Sequence, residues 1–408
     1  MDLGYIRGNP TVNADLIAIG IGILLTLGAL VYNATQRWGV PAFLIFMGIG
    51  LLFGDGRWGE PVYDNPRLTE FISSLALNLI IFAGGFQTPL SAIRKALREG
   101  LMLSTAGVLL TALLLGYFTW WATGLPLLTA LLFGAIVSST DAAVVFGILQ
   151  SKQLKLKHDT GTVLEFESAT NDPMAMILVT VLTGLALNPQ TEVSGLVIAL
   201  DFSKLLVIGI GIGLLLGALA QWLLRRISFQ DHGLVPIVLL ALFLMATYGA
   251  QFLGGNLLVA SYIFGVMAGN TPHGAQRHAA NFNSSLSWLA QAAMFLLLGL
   301  QIFAPELPGA FLHAWAPALF LIFMARPLAV LLCYLPFRGI PRAKKIFTAL
   351  IGLKGATPIV FVLIPVLAGI PHSNTLLHMV FYAVLFSILL QGTLLGWLAR
   401  KLDLIESP

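Results

Sequence analysis

The chain is 408 residues long, 58% hydrophobic and only 10% charged, with a formal net charge of +4. Soluble globular proteins carry roughly 25% charged residues, so the composition excludes that class and marks an integral membrane protein. The single cysteine, Cys333, excludes an intramolecular disulfide and is read as a small apolar filler.

Apolar runs long enough for the roughly 20-residue helix that crosses a hydrocarbon core recur from end to end, and about thirteen are expected. In chain order they cover 15–33, 38–54, 68–86, 98–121, 125–149, 160–186, 196–223, 231–251, 255–270, 283–303, 309–335, 343–369 and 374–399, the second and ninth being short. Residues 1–13 lack a basic region followed by a short apolar core and a small-residue cleavage site, so no cleavable signal is expected. No linker, low-complexity tract or heptad run intervenes. The expectation is one transmembrane domain over 1–408 with no soluble regulatory domain.

The basic residues alternate with these spans. Arg37, Arg94, Lys95, Arg98, Lys152, Lys155, Lys157, Arg225, Arg226, Arg277, Arg338, Arg342, Lys344, Lys345, Arg400 and Lys401 fall on one side. The other side holds Arg7, Arg57 and Arg67, and Lys204, Arg326 and Lys354 lie within spans. The positive-inside rule then puts the C-terminus in the cytoplasm and the N-terminus outside. The positive charge reflects this topology, and no nucleic-acid partner is expected.

Polar residues break the fifth span at VSSTDAA (137–143) and the twelfth at GLKGATP (352–358). Breaks at corresponding places in two halves point to a transporter built of inverted repeats, here six helices, a linking helix and six. A helix interrupted in the membrane leaves carbonyls unpaired at one end and amides at the other. Asp141 suits the positive end of such a break and Lys354 the negative end. Dipole compensation and direct ion ligation are both open to Asp141. Thr140 can offer a cation its hydroxyl and its main-chain carbonyl. An ordinary kinked helix is the alternative reading of Gly355 and Pro358, beside the functional break.

The sixth span carries FESATNDPM (166–174). An acid at the centre of a spanning helix costs about 2.5–3.5 kcal/mol even on the lenient insertion scale, so such a residue is a site candidate by default. Ser168 and Asp172 share one helical face, and Glu167 and Asn171 the next. The first stripe offers hard oxygen ligands for a small monovalent cation; the second suits a fixed hydrogen-bonding network. Pro173 removes a backbone bond beside Asp172. Arg326 in the eleventh span is the partner expected for Glu167, as a pair that fixes helix packing. No second fixed cation remains in that span for Asp172.

Taken together, STDAAVVFGIL, FESATNDPMA, ARPL and GLKGATPIV resemble the monovalent cation/proton antiporters, on their electroneutral NhaP-like branch, over essentially the whole chain. The resemblance is strongest to bacterial potassium/proton antiporters. It implies an all-α polytopic membrane protein of about thirteen helices with two broken helices that cross, divided into a six-helix ion-translocating core and a dimerisation scaffold. It further implies a homodimer in membrane lipid, in the plasma (inner) membrane, that works by an elevator-like displacement of the core. By motif match, Asp172 takes either the cation (Na+ or K+) or the proton, with Ser168 and Thr140 as further ligands and Asp141 lining the same cavity. Asn171, Glu167, Arg326 and Lys354 form the structural polar network. Asn171 stands where the electrogenic branch has a second Asp. One exchangeable carboxylate makes proton and cation binding mutually exclusive, and one-for-one electroneutral exchange follows. Such a protein is a secondary active transporter and not an enzyme, with no organic cofactor.

The third span departs from that pattern: related antiporters commonly carry an acid before the paired glycines, and this chain has Ala83, leaving Gln87 or water to compensate. The alternative reading is a sodium-coupled symporter of an organic acid on the same fold, which would need more polar residues to line a larger cavity. A channel would need no proton competition, and an intramembrane aspartyl protease would need other sequence contexts around Asp141 and Asp172. The histidines at 158, 232, 273, 278, 313, 372 and 378 are expected at span ends or in loops, at the surface or interface. GNTPHG (269–274) lacks the Lys and the strand-to-helix context of a phosphate loop.

Overall fold

The computed structural model describes residues 43–54, 65–141, 155–188, 195–227, 231, 233–272, 276–355 and 357–406, together with Gly22, Ile23, Thr26 and Leu30. All of the first predicted span but Gly22, Ile23, Thr26 and Leu30, the start of the second and 142–149 of the fifth lie outside the described residues.

The described chain is helical apart from one antiparallel bridge, Leu156 to Ile405. In order come α1 (Phe43–Gly54), α2 (Pro66–Gln87), α3 (Leu90–Thr123), α4 (Leu127–Ile136), α5 (Thr160–Leu187), α6 (Gly195–Arg226), α7 (Leu234–Phe252), α8 (Leu257–Gly269), α9 (Gln276–Leu300), α10 (Leu307–Cys333), α11 (Arg342–Leu350), α12 (Thr357–Leu367) and α13 (Ser373–Lys401). Among the described residues, eight of these helices are long and apolar enough to cross a membrane: α2, α3, α5, α6, α7, α9, α10 and α13. From the third predicted span onward, each apolar run overlaps at least one described helix; the fifth is helical over Leu127–Ile136, and the twelfth is split into Arg342–Leu350 and Thr357–Leu367.

Local signals set several boundaries. Asn65 accepts a hydrogen bond from the Leu68 N–H at 3.0 Å and Pro66 opens α2, the expected chemistry of a helix start. Asn256 caps α8 in the same way through Val259 N–H. Gly124, at φ +69°, ends α3 in the left-handed conformation that glycine adopts without a Cβ clash. Single π-helical turns interrupt α3 at Leu103–Gly107 and α10 at Leu321–Ala325, the second ending at Arg326. α5 runs through Pro173 without a break.

Packing divides the helices into two groups. α1, α2, α6, α7, α8 and α9 contact one another densely, and so do α3, α4, α5, α10, α11, α12 and α13. Between the groups, α12 and α5 lie along α2, and α5 also touches α8 and α6. The boundary is apolar, with Leu77 and Ile81 of α2 in one buried cluster with Phe361 and Leu363 of α12. In the first group the backbones of α1 and α9 meet at Gly50 and Gly299, where a Cβ on either would strike the other helix. In the second, the Phe118 and Phe320 rings stack at 3.9 Å and join α3 to α10.

The outer faces are apolar. On α6, Leu200, Val207, Leu215 and Trp222 are exposed. Cys333 is buried with its Sγ 3.7 Å from the Met102 carbonyl, in keeping with a filler. One histidine departs from the expected surface placement: His378 is buried in α13, its Nδ1 3.6 Å from a Glu306 carboxylate oxygen. The helix carrying it starts at Ser373, so His378 falls within its second turn and packs inward. His158, His278 and His372 are exposed, and His232 and His273 lie outside the described residues.

Candidate ion-binding site

Two non-helical stretches meet in the second group. α4 stops at Ile136 and 137–141 continue without a helix; α11 stops at Leu350, 351–355 run without one, and α12 begins at Thr357. The Asp141 N–H donates to the Leu353 carbonyl at 2.8 Å, which fastens one stretch to the other. The buried Lys354 ammonium donates to the carbonyls of Ser138 at 3.2 Å and Ser139 at 2.7 Å, just past the C-terminal end of α4. A cation there offsets the negative end of the helix dipole. Asp141 lies against Gly355, where any Cβ would overlap its carboxylate, close to the positive first turn of α12. Helix α13 serves the same stretch: Ser387 accepts from the Lys354 N–H at 2.9 Å, donates to Gln391 Oε1 at 2.7 Å, and Gln391 donates to the last carbonyl of α11, Leu350. Several of the backbone groups freed by the interruption are thereby paired inside the membrane.

α5 faces these stretches with its polar stripes. Asn171 donates to Thr140 Oγ1 at 2.6 Å and accepts from the Thr140 N–H at 3.3 Å. Thr140 Oγ1 lies 3.0 Å from Ser168 Oγ. Asp172 is 6% exposed, with one oxygen 3.4 Å from the Thr357 hydroxyl and the other, Oδ1, without a hydrogen-bond partner. Glu167 and Arg326, both fully buried, form an ion pair at 2.5 Å, and the guanidinium lies against Gly352. That pair is a close charge contact with poor hydrogen-bond direction, since Glu167 Oε2 and Arg326 Nε and Nη1 are unpartnered.

Asp172, Ser168, Thr140, Asp141, Asn171, Glu167, Arg326 and Lys354 thus come together in one region. Within it Asp172 differs from Glu167. Arg326 is engaged by Glu167 and Lys354 by two carbonyls, and among the described residues Asp172 has no fixed cation at ion-pair distance. Thr357, Ser387 and Gln391 join the region without having been singled out in the sequence. For Ser387 and Gln391 a signal existed, two polar residues four apart on one face of an apolar span. Gln87 is exposed at the end of α2 and donates to Ser284 of α9 at 3.3 Å, while Ala83 is buried.

A sequence model described as sodium/hydrogen exchanger, transmembrane, matches residues 22–401. The chain is 37% identical over 397 residues to the K(+)/H(+) antiporter NhaP of Alkalimonas amylolytica, covering 96% of this chain and 67% of that protein. It is 36% identical over 391 residues to the K(+)/H(+) antiporter NhaP2 of Shewanella sp. (strain ANA-3), covering 95% and 68% respectively. Its fold superposes on that of the sodium proton antiporter MjNhaP1 from Methanocaldococcus jannaschii with a TM-score of 0.83 at 25% identity, covering 95% of this chain and 99% of that one. With the family model spanning almost the whole chain, the protein belongs to the transmembrane sodium/hydrogen exchangers, as an NhaP-like monovalent cation/proton antiporter.

Proposed function

We propose that the protein exchanges one monovalent cation for one proton through Asp172, with the cation further held by Ser168 and by Thr140. The observation that carries this is the state of Asp172: a buried carboxylate with one unpartnered oxygen and no fixed countercharge among the described residues. An uncompensated charge in the membrane is strongly unfavourable, so the site reaches low energy when a proton or a cation neutralises it. Asn171 carries no exchangeable proton and holds Thr140 through two hydrogen bonds. With one carboxylate serving both species, the exchange is electroneutral.

The two helix groups supply the moving parts. The group bearing Asp172 is the core, crossing its two non-helical stretches at Asp141 and Leu353, and the α1, α2, α6–α9 group is the scaffold and the dimerisation surface. The apolar boundary between them supports an elevator displacement, since it has few polar contacts to break. The π-helical turns of α3 and α10 fall in the predicted fourth and eleventh spans, corresponding members of two inverted six-helix repeats within a thirteen-helix chain. The basic loops orient the C-terminus to the cytoplasm, in the plasma membrane. Potassium is the cation to test first, because the relatives at 36–37% identity are named for it, and sodium second. Symport of an organic acid finds no support in those relatives' names.

The test is exchange in proteoliposomes carrying a pH-sensitive dye, with potassium, sodium or lithium added and Asp172→Asn alongside. A cation should dissipate an imposed pH gradient regardless of membrane potential, and the variant should not. A wild-type protein that moves no protons in response to any of the three, or an Asp172→Asn variant that matches it, would overturn the proposal.

A further inference from the structure

A third acid of α5 lies outside the site just described. Glu165 is seven residues before Asp172 on an unbroken helix. Seven residues are almost two full turns, so both carboxylates lie on one face, about 10 Å apart along the axis. Glu165 is the one nearer the side that carries the basic loops. It is half-buried, where α5 of one helix group meets the end of α2 and α8 of the other.

Among the described residues no cation forms an ion pair with Glu165, and its one hydrogen-bonding contact is Thr88 Oγ1 at 3.4 Å from Oε1. That hydroxyl has a single proton, which it donates to the Gly84 carbonyl at 2.7 Å. With that proton engaged at the shorter distance, the 3.4 Å contact leaves Glu165 only weakly satisfied by Thr88. The Tyr262 hydroxyl of α8 is buried, has no hydrogen-bond partner, and is close enough to feel the Glu165 charge and the Thr88 hydroxyl.

We propose that Glu165, Thr88 and Tyr262 form a second, transient site for the transported monovalent cation on the basic-loop side of Asp172. Its role as a way-station rests on the antiport reading above; the binding itself does not. The carboxylate supplies the charge that draws the cation to the boundary between the helix groups, and Thr88 and Tyr262 supply neutral oxygens. Because Thr88 and Tyr262 belong to one helix group and Glu165 to the other, a relative displacement of the groups takes this site apart.

Two measurements decide it. In purified protein with Asp172→Asn, KCl or NaCl should still raise Tm above matched choline chloride, and the rise should vanish in Asp172→Asn/Glu165→Gln. Equal responses of the single and double variants, or no cation response in Asp172→Asn, overturn the site. In vesicles with the basic-loop face outward, Glu165→Gln should raise the apparent KM for the cation about tenfold, the loss expected for one charged ligand, and by more than it lowers the maximal rate. Glu165→Asp should recover part of that loss. A fall in maximal rate with KM unchanged identifies a packing role and overturns the proposal. If wild-type protein exchanges nothing, the antiport reading fails by itself, and the Tm comparison still decides whether the second site exists.

Discussion

Lys354 reaches across from one non-helical stretch to the other, its ammonium 2.7 Å from the Ser139 carbonyl and 3.2 Å from that of Ser138. A single side chain thereby closes the C-terminal end of α4, while its own N–H is held by Ser387 of α13. Lys354→Met keeps most of the aliphatic stem and leaves two buried carbonyls without a charged donor. The expected cost is about 2–6 kcal/mol, from a desolvation penalty of about 1–3 kcal/mol for each of the two unsatisfied groups. Thermal unfolding in detergent checks it, and an unchanged Tm would remove Lys354 from this role.

The Glu167–Arg326 pair is expected to behave as a packing element. Removing either partner strands a buried charge, at a cost of about 3–5 kcal/mol, whereas replacing both by apolar residues can be close to neutral. Arg326→Met and Glu167→Gln should each lower Tm sharply, and Glu167→Met/Arg326→Met should recover much of the loss. A double variant as damaged as the sum of the singles would show that the charges do more than fix α10 against α5.

Competition at one carboxylate has a definite pH signature. A proton on Asp172 excludes the cation, so lowering the pH raises the apparent KM for the cation. Once protonation dominates, the rise approaches about tenfold per pH unit for a single exchangeable proton. At saturating cation the maximal rate falls instead at high pH, where the return step lacks protons. A KM independent of pH across the active range would contradict a shared site. An exchange rate that depends on membrane potential would contradict the one-for-one stoichiometry.

Much of this region was legible in the sequence because a membrane makes polar residues conspicuous. Glu167, Asn171, Asp172, Arg326 and Lys354 stand out against long apolar runs, and helical spacing assigns the first three to neighbouring stripes. The non-helical stretches were partly legible too, since the polar breaks read at 137–143 and 352–358 overlap the observed 137–141 and 351–355. What the sequence hid was pairing over long separations. Thr357 beside Asp172, and Ser387 with Gln391 bonded to the backbone around Lys354, depend on how α12 and α13 pack, which no local pattern encodes. His378 was misjudged for a related reason: proximity to a helix end says nothing of which way a side chain packs, and this one turns inward toward Glu306.

Gly355 gives the sharpest test of how closely the two stretches must approach. A Cβ at this position would overlap the Asp141 carboxylate and crowd its Cβ, at 2.7 Å, so the obstruction reaches down to the root of the acid's side chain. Rotating the carboxylate away cannot relieve the contact, and the Asp141 N–H is fixed on the Leu353 carbonyl two residues before Gly355. Gly355→Ala should therefore displace Asp141 or part the two stretches, lowering exchange at least about tenfold and costing about 1–3 kcal/mol of stability, as overpacking does. Gly249→Ala is the control: it lies inside α7 with nothing within 4 Å of an added Cβ. There the substitution should be neutral or stabilising by up to about 1 kcal/mol, from helix propensity alone. Exchange assays and Tm measured on both variants decide the matter. If Gly355→Ala exchanges as fast as Gly249→Ala, the close approach of Asp141 to the start of α12 is not required for transport.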